Sequence, residues 1–455
     1  MLLTYVQTFP SGGEPAVPTP AGLALAPFRG VRYAQQRVTG LAEVTSPPYD
    51  VIGQDSAQHL RDADPHNVVR LILPRPVPGH PGAEYQEAAR LLGSWLAEGI
   101  LAAEDRPALY VYQQRLVDPA AGSPGGDGVI QRGLIGAVRL APPAARIVLP
   151  HEDVMPGPVR GRRQLMEATQ ANLEPIFLLY DGGPGSAAIR LSAQATAGQA
   201  VLSARTSDGI EHTLWALPDP AAHAAIAADL APRQALIADG NHRYAAYRQL
   251  QADRHAAGDG PGPWDYGLAL LVDNTAFPPT IGAIHRVIPG LDPDEAVERA
   301  KAAFTVRPLP GGPAGLPAAL DTLAAAGRDG TAFLVAGAGQ LYLLYEPDPV
   351  RLEAAMPAGK SAAWRRLPSA ALQELLLGEL WQITDDERTV QVVHHDAARA
   401  VAQASQAGGT AVLVNALSAA DVYEVAAAGE RLPRKSTSFA PKPRTGLVLR
   451  SFAED

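Results

Sequence analysis

The sequence carries 43 glycines and 42 prolines in 455 residues, and that density sets the first limit on what it can fold into. Proline fixes φ and removes a backbone donor, and glycine loses the most conformational entropy on ordering, so the chain is cut into short elements joined by many turns. Long helical bundles and coiled coils are excluded. No apolar stretch approaches the roughly 18 residues that a membrane helix needs. Apolar residues nonetheless make up 47% and charged residues 19%, a balance that supports a buried core and not a disordered chain. The length corresponds to about three domain-sized pieces or one large elaborated unit.

The net charge of −9 argues against binding to bulk nucleic acid or an anionic membrane, because phosphate contacts need clustered Lys and Arg. With no cysteine, disulfides, thiol nucleophiles and cysteine-ligated metals are excluded. The opening residues MLLTYVQTFPSGGEP lack the basic region of a secretory signal, so a cytoplasmic protein is expected.

Residues 1–26 read as a flexible leader. Residues 27–290 read as an α/β core, and residues 291–455 as a C-terminal α/β region. Apolar runs at Leu109 to Leu116 and Gly133 to Leu140 flank a Gly/Pro/Asp-rich stretch from Asp118 to Gly128, the signature of a hairpin with a long loop. Val68 to Leu73 reads as a strand, Tyr85 to Leu101 as an amphipathic helix, the stretch around Arg163 to Ala171 as a helix and Pro175 to Tyr180 as a strand. Further strand and helix signals alternate irregularly to the C-terminus. The expectation is an α+β or mixed α/β protein with mixed β-sheets and packed helices, since the eight even units of a TIM barrel are missing.

Three motifs are set aside. Gly183-Pro184-Gly185-Ser186-Ala187-Ala188 fits the dinucleotide fingerprint formally, but Ile189-Arg190-Leu191 reads as strand where a helix is required, which leaves a plain turn. Gly359-Lys360-Ser361 lacks the leading glycine of a P-loop, and Asp396 after His394-His395 reads as a helix cap.

The segment Gln234 to Ala246 is the sharpest signal. An apolar strand ends at Asp239, Gly240 permits a tight turn, and a helix starts with Asn241, His242 and Arg243 at the end where backbone N–H groups and the dipole favour an anion. Arg243 can grip oxygens bidentately, His242 can donate a hydrogen bond or move a proton, and Asp239 can hold Mg2+ or orient its neighbours. A capped turn with solvated charges is the plainer alternative. His151-Glu152 offers a general base or metal ligand beside the basic residues Arg160, Arg162 and Arg163, or a solvated loop. Lys435-Ser436-Thr437, with Arg434 before them and Lys442 and Arg444 after, suits a phosphorylated ligand or a carboxylate, or a basic turn. His285 is catalytic or structural, and Asp50, aimed by Pro47-Pro48, binds metal or substrate or caps a turn.

The Asp239 segment resembles the phosphate-binding turn of the ParB/sulfiredoxin-like superfamily, which includes CTP-binding partition proteins and free-serine kinases. The whole chain after the leader resembles the family called domain of unknown function 1015. The likeness runs from Pro27-Phe28-Arg29-Gly30 through Pro47-Pro48-Tyr49-Asp50-Val51-Ile52, Pro150-His151-Glu152, Asn172-Leu173-Glu174-Pro175-Ile176-Phe177 and the Asp239 turn. It continues with Ile284-His285-Arg286, Lys435-Ser436-Thr437 and Pro441-Lys442. Asn241 stands where that family usually has a second histidine, and Ala245 stands near its acidic residue. The resemblance implies a ParB/sulfiredoxin-like element holding a nucleoside di- or triphosphate.

The leading expectation is a nucleotide-dependent phosphotransferase acting on a small hydroxylated metabolite. Asp239, Gly240, Asn241 and Arg243 would take phosphates, Asp239 and Asp50 a Mg2+, and His151, Glu152 and His242 the proton transfers. Lys435, Ser436, Thr437, Arg160, Arg163 and His285 would bind the anionic substrate, with the basic loop joining the same cleft. A regulatory nucleotide-binding module and a phosphoester hydrolase use the same anion-binding parts.

Overall fold

The computed structural model describes residues 20–117, 128–386 and 388–455. Most of the expected leader, and nearly all of the loop expected from Asp118 to Gly128, lie outside the described residues. The chain forms two compact units. The first runs to Val148, resumes as Val154–Pro278 and ends with Lys442–Asp455, and the second comprises Leu149–Asp153 and Pro279–Pro441. Each mixes helices with β-sheet.

In the large sheet of the first unit the strands follow the order Ala235–Asp239, Ile176–Tyr180, Tyr266–Asp273, Val129–Arg139, Leu109–Leu116, Ile210–Leu217 and Leu202–Arg205. Ile176–Tyr180 and Tyr266–Asp273 are parallel, and the other neighbours are antiparallel. Ile176–Tyr180 and Ala235–Asp239 are buried at every position, as strands covered on both faces must be. Ile176, Leu178, Ala235 and Ile237 join one core with Tyr244, Tyr247 and Leu250 of the helix Asn241–Ala256. A smaller antiparallel sheet orders Leu101–Ala103, Gly30–Tyr33, Leu449–Ser451 and Ala171–Asn172. Its C-terminal strand carries Arg450, fully buried, which donates to Asn172 Oδ1 (2.8 Å), Tyr266 O (3.1 Å) and Pro263 O (2.7 Å). The chain's last residues are therefore part of the first unit's core.

The second unit is built on an antiparallel sheet ordered Thr305–Leu309, Gln340–Tyr345, Phe333–Gly337, Thr410–Val414, Ile284–Ile288 and Gln391–His394. The strand period of two divides its side chains between two cores. Phe333, Val335, Leu344 and Val412 meet the helix Pro293–Ala300 and the π-helical segment Ala371–Leu380. Leu334, Ala336, Leu343 and Leu413 meet the helices Leu316–Asp329 and Ala397–Gln406. A separate pair joins Thr280–Gly282 to Ser438–Ala440.

Three local expectations are corrected. The apolar run at Val68 to Leu73 contains the helix Val69–Ile72, because the buried Asn67 accepts from Val69 N at 2.9 Å and turns the chain into a helical start. Ile189-Arg190-Leu191 lies in the helix Ala187–Ala195, whose start is held by Ser186 Oγ accepting from Ile189 N. The helix expected from Arg163 starts earlier, as Pro156–Thr169, with proline in its first turn where a missing N–H costs nothing. Among the described residues no helix is long and apolar enough to cross a membrane.

Candidate functional site

The strand Ala235–Asp239 shifts register between Ile237 and Asp239, which re-aims its last residue. Gly240 follows at φ 94°, a left-handed conformation. A Cβ there would lie 2.9 Å from Ile176 Cγ2 and 3.1 Å from Arg243 Nε, so both backbone and space require glycine. The helix Asn241–Ala256 begins at once, and no side chain caps its start. Backbone donors at such an end favour an anion. Asn241 is buried and its Oδ1 lacks a hydrogen-bond partner.

Beneath the turn lies a buried ionic cluster. Asp239 is 7% and Arg243 3% exposed. Arg243 donates to Asp239 through Nη2 and to Pro175 O through Nη1 at 2.6 Å, while the Lys442 ammonium pairs with the other Asp239 oxygen. Glu174, also buried, accepts from Tyr49 N at 3.0 Å and stands 3.6 Å from Arg162 Nη1. Burial pushes the Glu174 carboxyl up, against the opposing pull of Arg243 and Arg162. Burial works against the Arg243 charge, but Glu174 and Asp50 outweigh it and its pKa is raised. The Arg162 guanidinium lies 4.2 Å from the Tyr49 ring centroid, and burial raises the Tyr49 hydroxyl to about 12. A cavity of about 20 Å³, room for one water, is bounded by Arg162, Glu174, Arg243 and Tyr247, and Arg243 Nε has no partner.

These partners differ from those the sequence suggests. The Arg243 guanidinium, expected on phosphate oxygens, faces inward and is engaged by protein groups, because Glu174 and Pro175 occupy the space it reaches. Asp239, expected to hold Mg2+, has both oxygens engaged by Arg243 and Lys442, so a cation would have to displace one of them. Asp50 is exposed. Among the described residues no group of three or more His, Asp and Glu side chains is arranged to hold a metal. His242 Nε2 accepts from Met155 N at 3.0 Å, which places the ring proton on Nδ1. Arg160 is exposed, and Arg163 pairs with Asp253 and Glu167.

The other sequence candidates belong to the second unit. His151 is 1% exposed, with Nε2 2.8 Å from Thr437 Oγ1 and 3.7 Å from Glu152 Oε1, and its ring stands edge-on to Phe439. Leu432 N donates to His151 O at 2.9 Å, so the segment 431–439 surrounds this histidine. His285 is buried and accepts from Val414 N through Nδ1 at 3.3 Å. Burial and the neighbouring Arg286 lower its pKa to about 4, the position of a neutral structural imidazole. Ser436 Oγ donates to Pro433 O at 2.6 Å.

The turn at Gly183 to Ser186 does open a helix, contrary to the reason first given for setting it aside. Its N-terminal donors are taken by the protein's own carboxylate, since Asp229 Oδ2 accepts from Ala188 N (3.1 Å) and Ser186 Oγ (2.8 Å). One member of the first unit's cluster, Glu174, was missed as a site residue, and Lys442 was read only as part of the basic C-terminal segment and not as the partner of Asp239. Both stand in the matched segments, but a single acid or lysine gives no local sign of what it will meet.

A family model described as protein of unknown function (DUF1015) matches residues 25–370. No curated protein matches the chain. Among solved structures, a free serine kinase in complex with AMP is 15% identical, with 65% of this chain and 84% of that one covered at a TM-score of 0.33. A conserved hypothetical protein from Pyrococcus furiosus is 15% identical over 65% of this chain and 88% of that one, at 0.33. SbnI with a C-terminal truncation, from Staphylococcus aureus, is 10% identical over 68% and 84%, at 0.33. At this identity and TM-score the likenesses carry neither activity nor ligand over to this chain.

Proposed function

Because the chain belongs to the DUF1015 family of proteins of unknown function, whose description assigns no reaction, we propose from its own residues that it is a nucleotide-dependent phosphotransferase acting on a small hydroxylated metabolite. The observation that supports this reading is the uncapped start of the helix Asn241–Ala256 after the left-handed Gly240, with the Lys442 ammonium on Asp239 at the same turn. Phosphoryl transfer asks a protein mainly for positioning and for stabilisation of spread negative charge, which backbone donors and a lysine supply. The likeness of this turn to the nucleotide-binding turn of the ParB/sulfiredoxin-like superfamily points the same way. In this reading the first helical turn and Lys442 take the phosphates, His242 donates from Nδ1, and Arg243 with Asp239 fixes the turn. No step is assigned to Mg2+.

Lys442→Met is expected to weaken ADP and ATP binding by about tenfold or more, the worth of a charge-assisted hydrogen bond. Calorimetric titration checks this, and unchanged affinity in a folded variant would remove Lys442 from the phosphate site. A second reading, nucleotide binding without turnover, is favoured by one observation: neither oxygen of Asp239 is left for a cation.

A further inference from the structure

We propose that Gln114 and Tyr112 are positioning residues for Lys442, clamping the backbone on either side of Pro443 so that the ammonium stays on Asp239. The clamp lies wholly within the first unit, and its consequence for phosphate binding rests on the assignment of Lys442 to the phosphates.

A lysine ammonium rides on a long flexible stem, so pairing it with a carboxylate costs side-chain entropy unless the backbone beneath it is fixed. Lys442 opens the segment Lys442–Asp455, with which the chain returns to the first unit. Gln114 and Tyr112 stand two positions apart on the strand Leu109–Leu116, and so on one face, and each is 1% exposed. The Gln114 amide nitrogen donates to Lys442 O at 3.0 Å and to the Tyr112 hydroxyl at 2.9 Å, which uses both of its hydrogens. On the far side of Pro443, Arg444 N donates to the same hydroxyl at 3.3 Å. With two donors on its oxygen, Tyr112 gives its own proton to His212 Nδ1, 2.7 Å away, and the other ring nitrogen meets Thr206 Oγ1 at 3.1 Å. The hydroxyl is thereby held from three sides. Arg444 adds an anchor of its own, through Nε to Thr45 Oγ1 at 2.7 Å and through Nη2 to Ala42 O and Thr45 O, each at 3.1 Å.

The Gln114 oxygen is buried without a partner among the described residues, so the two bonds of the nitrogen alone orient the amide. Turning the amide over would set two acceptors, Gln114 Oε1 and Lys442 O, against each other. A buried amide with an unpaired oxygen is a cost that an apolar side chain would avoid, and what it secures is the carbonyl of the residue whose ammonium reaches Asp239. Proline fixes its own φ, so holding Lys442 O and Arg444 N leaves the backbone between them little freedom.

The test uses the full chain. Lysines are acetylated with a limiting amount of an N-hydroxysuccinimide ester and read by mass spectrometry, with the exposed Lys301 as internal reference. Gln114→Met and Tyr112→Phe keep the bulk of each side chain and remove its hydrogen bonds. Each is expected to raise the labelling of Lys442 relative to Lys301 by about threefold to tenfold, the worth of a neutral hydrogen bond. Calorimetric titration with ADP separates action through Lys442 from support of the fold. Gln114→Met should weaken ADP binding by a similar factor in the wild-type background and leave it unchanged in the Lys442→Met background, whereas a residue that only supported the fold would act in both. The proposal is overturned if the folded variants label Lys442 as the wild type does, or if Gln114→Met weakens ADP equally in both backgrounds. A wild type that bound no ADP would sink the phosphate reading and leave the labelling result to decide the clamp.

Discussion

Arg243→Ala is expected to lower the melting temperature by about 10 °C, the largest effect of any single substitution at the candidate site. Arg243 is 3% exposed, pairs with the buried Asp239 and acts electrostatically on the buried Glu174. Its removal leaves Asp239 with Lys442 alone and Glu174 with Arg162, 3.6 Å away. Stranding a buried charge in this way costs on the order of 3–5 kcal/mol, against about 1 kcal/mol for an exposed pair. Differential scanning calorimetry checks it, and a melting temperature within a degree or two of wild type would show that the cluster contributes little to the fold.

The second large effect is a loss of stability as the pH falls from about 6.5 to about 4. His212 is 4% exposed, with Nδ1 2.7 Å from the Tyr112 hydroxyl and Nε2 3.1 Å from Thr206 Oγ1. Burial, reinforced by Arg444 and opposed by Asp208, lowers its pKa from 6.5 to about 4. His285 is lowered to about 4 in the same sense, by burial, Arg286 and His395. Above pH 6.5 both rings are neutral in either state and no penalty exists. Below it the unfolded chain binds protons that the folded chain refuses, so stability declines until the folded pKa is reached. A shift of that size corresponds to roughly 3 kcal/mol per histidine at most. The depressed carboxyls Asp64, Asp208, Asp229 and Asp265 lose their contribution at lower pH, and the raised Glu174 acts in the opposite sense. Urea midpoints at pH 7 and 4.5 should therefore diverge, and His212→Gln should reduce the difference. Equal midpoints in the wild type would contradict it.

What the sequence reveals and conceals divides by the range of the forces involved. The turn at Asp239 was legible because an apolar run, a glycine and a helical pattern are neighbours. The antiparallel pair Leu109–Leu116 with Val129–Arg139 was legible for the same reason. Val69–Ile72 was misread because an apolar run has the same composition in a strand and in one buried helical turn, and the deciding group is the Asn67 side chain. Ala187–Ala195 was misread because its helix start depends on Asp229, 41 positions from Ala188. The site was least legible in orientation. That Arg243 turns inward depends on Pro175, 68 positions away, and that Asp239 meets Lys442 depends on a residue 203 positions away. No local pattern encodes either.

The proposed activity is tested most directly by following transfer of the terminal phosphate from labelled nucleotide to a panel of small hydroxylated metabolites. The expected result is a phosphorylated product with the wild type and much less with Lys442→Met. Tight nucleotide binding with no product on a broad panel would contradict the phosphotransferase assignment and leave a nucleotide-binding module in its place.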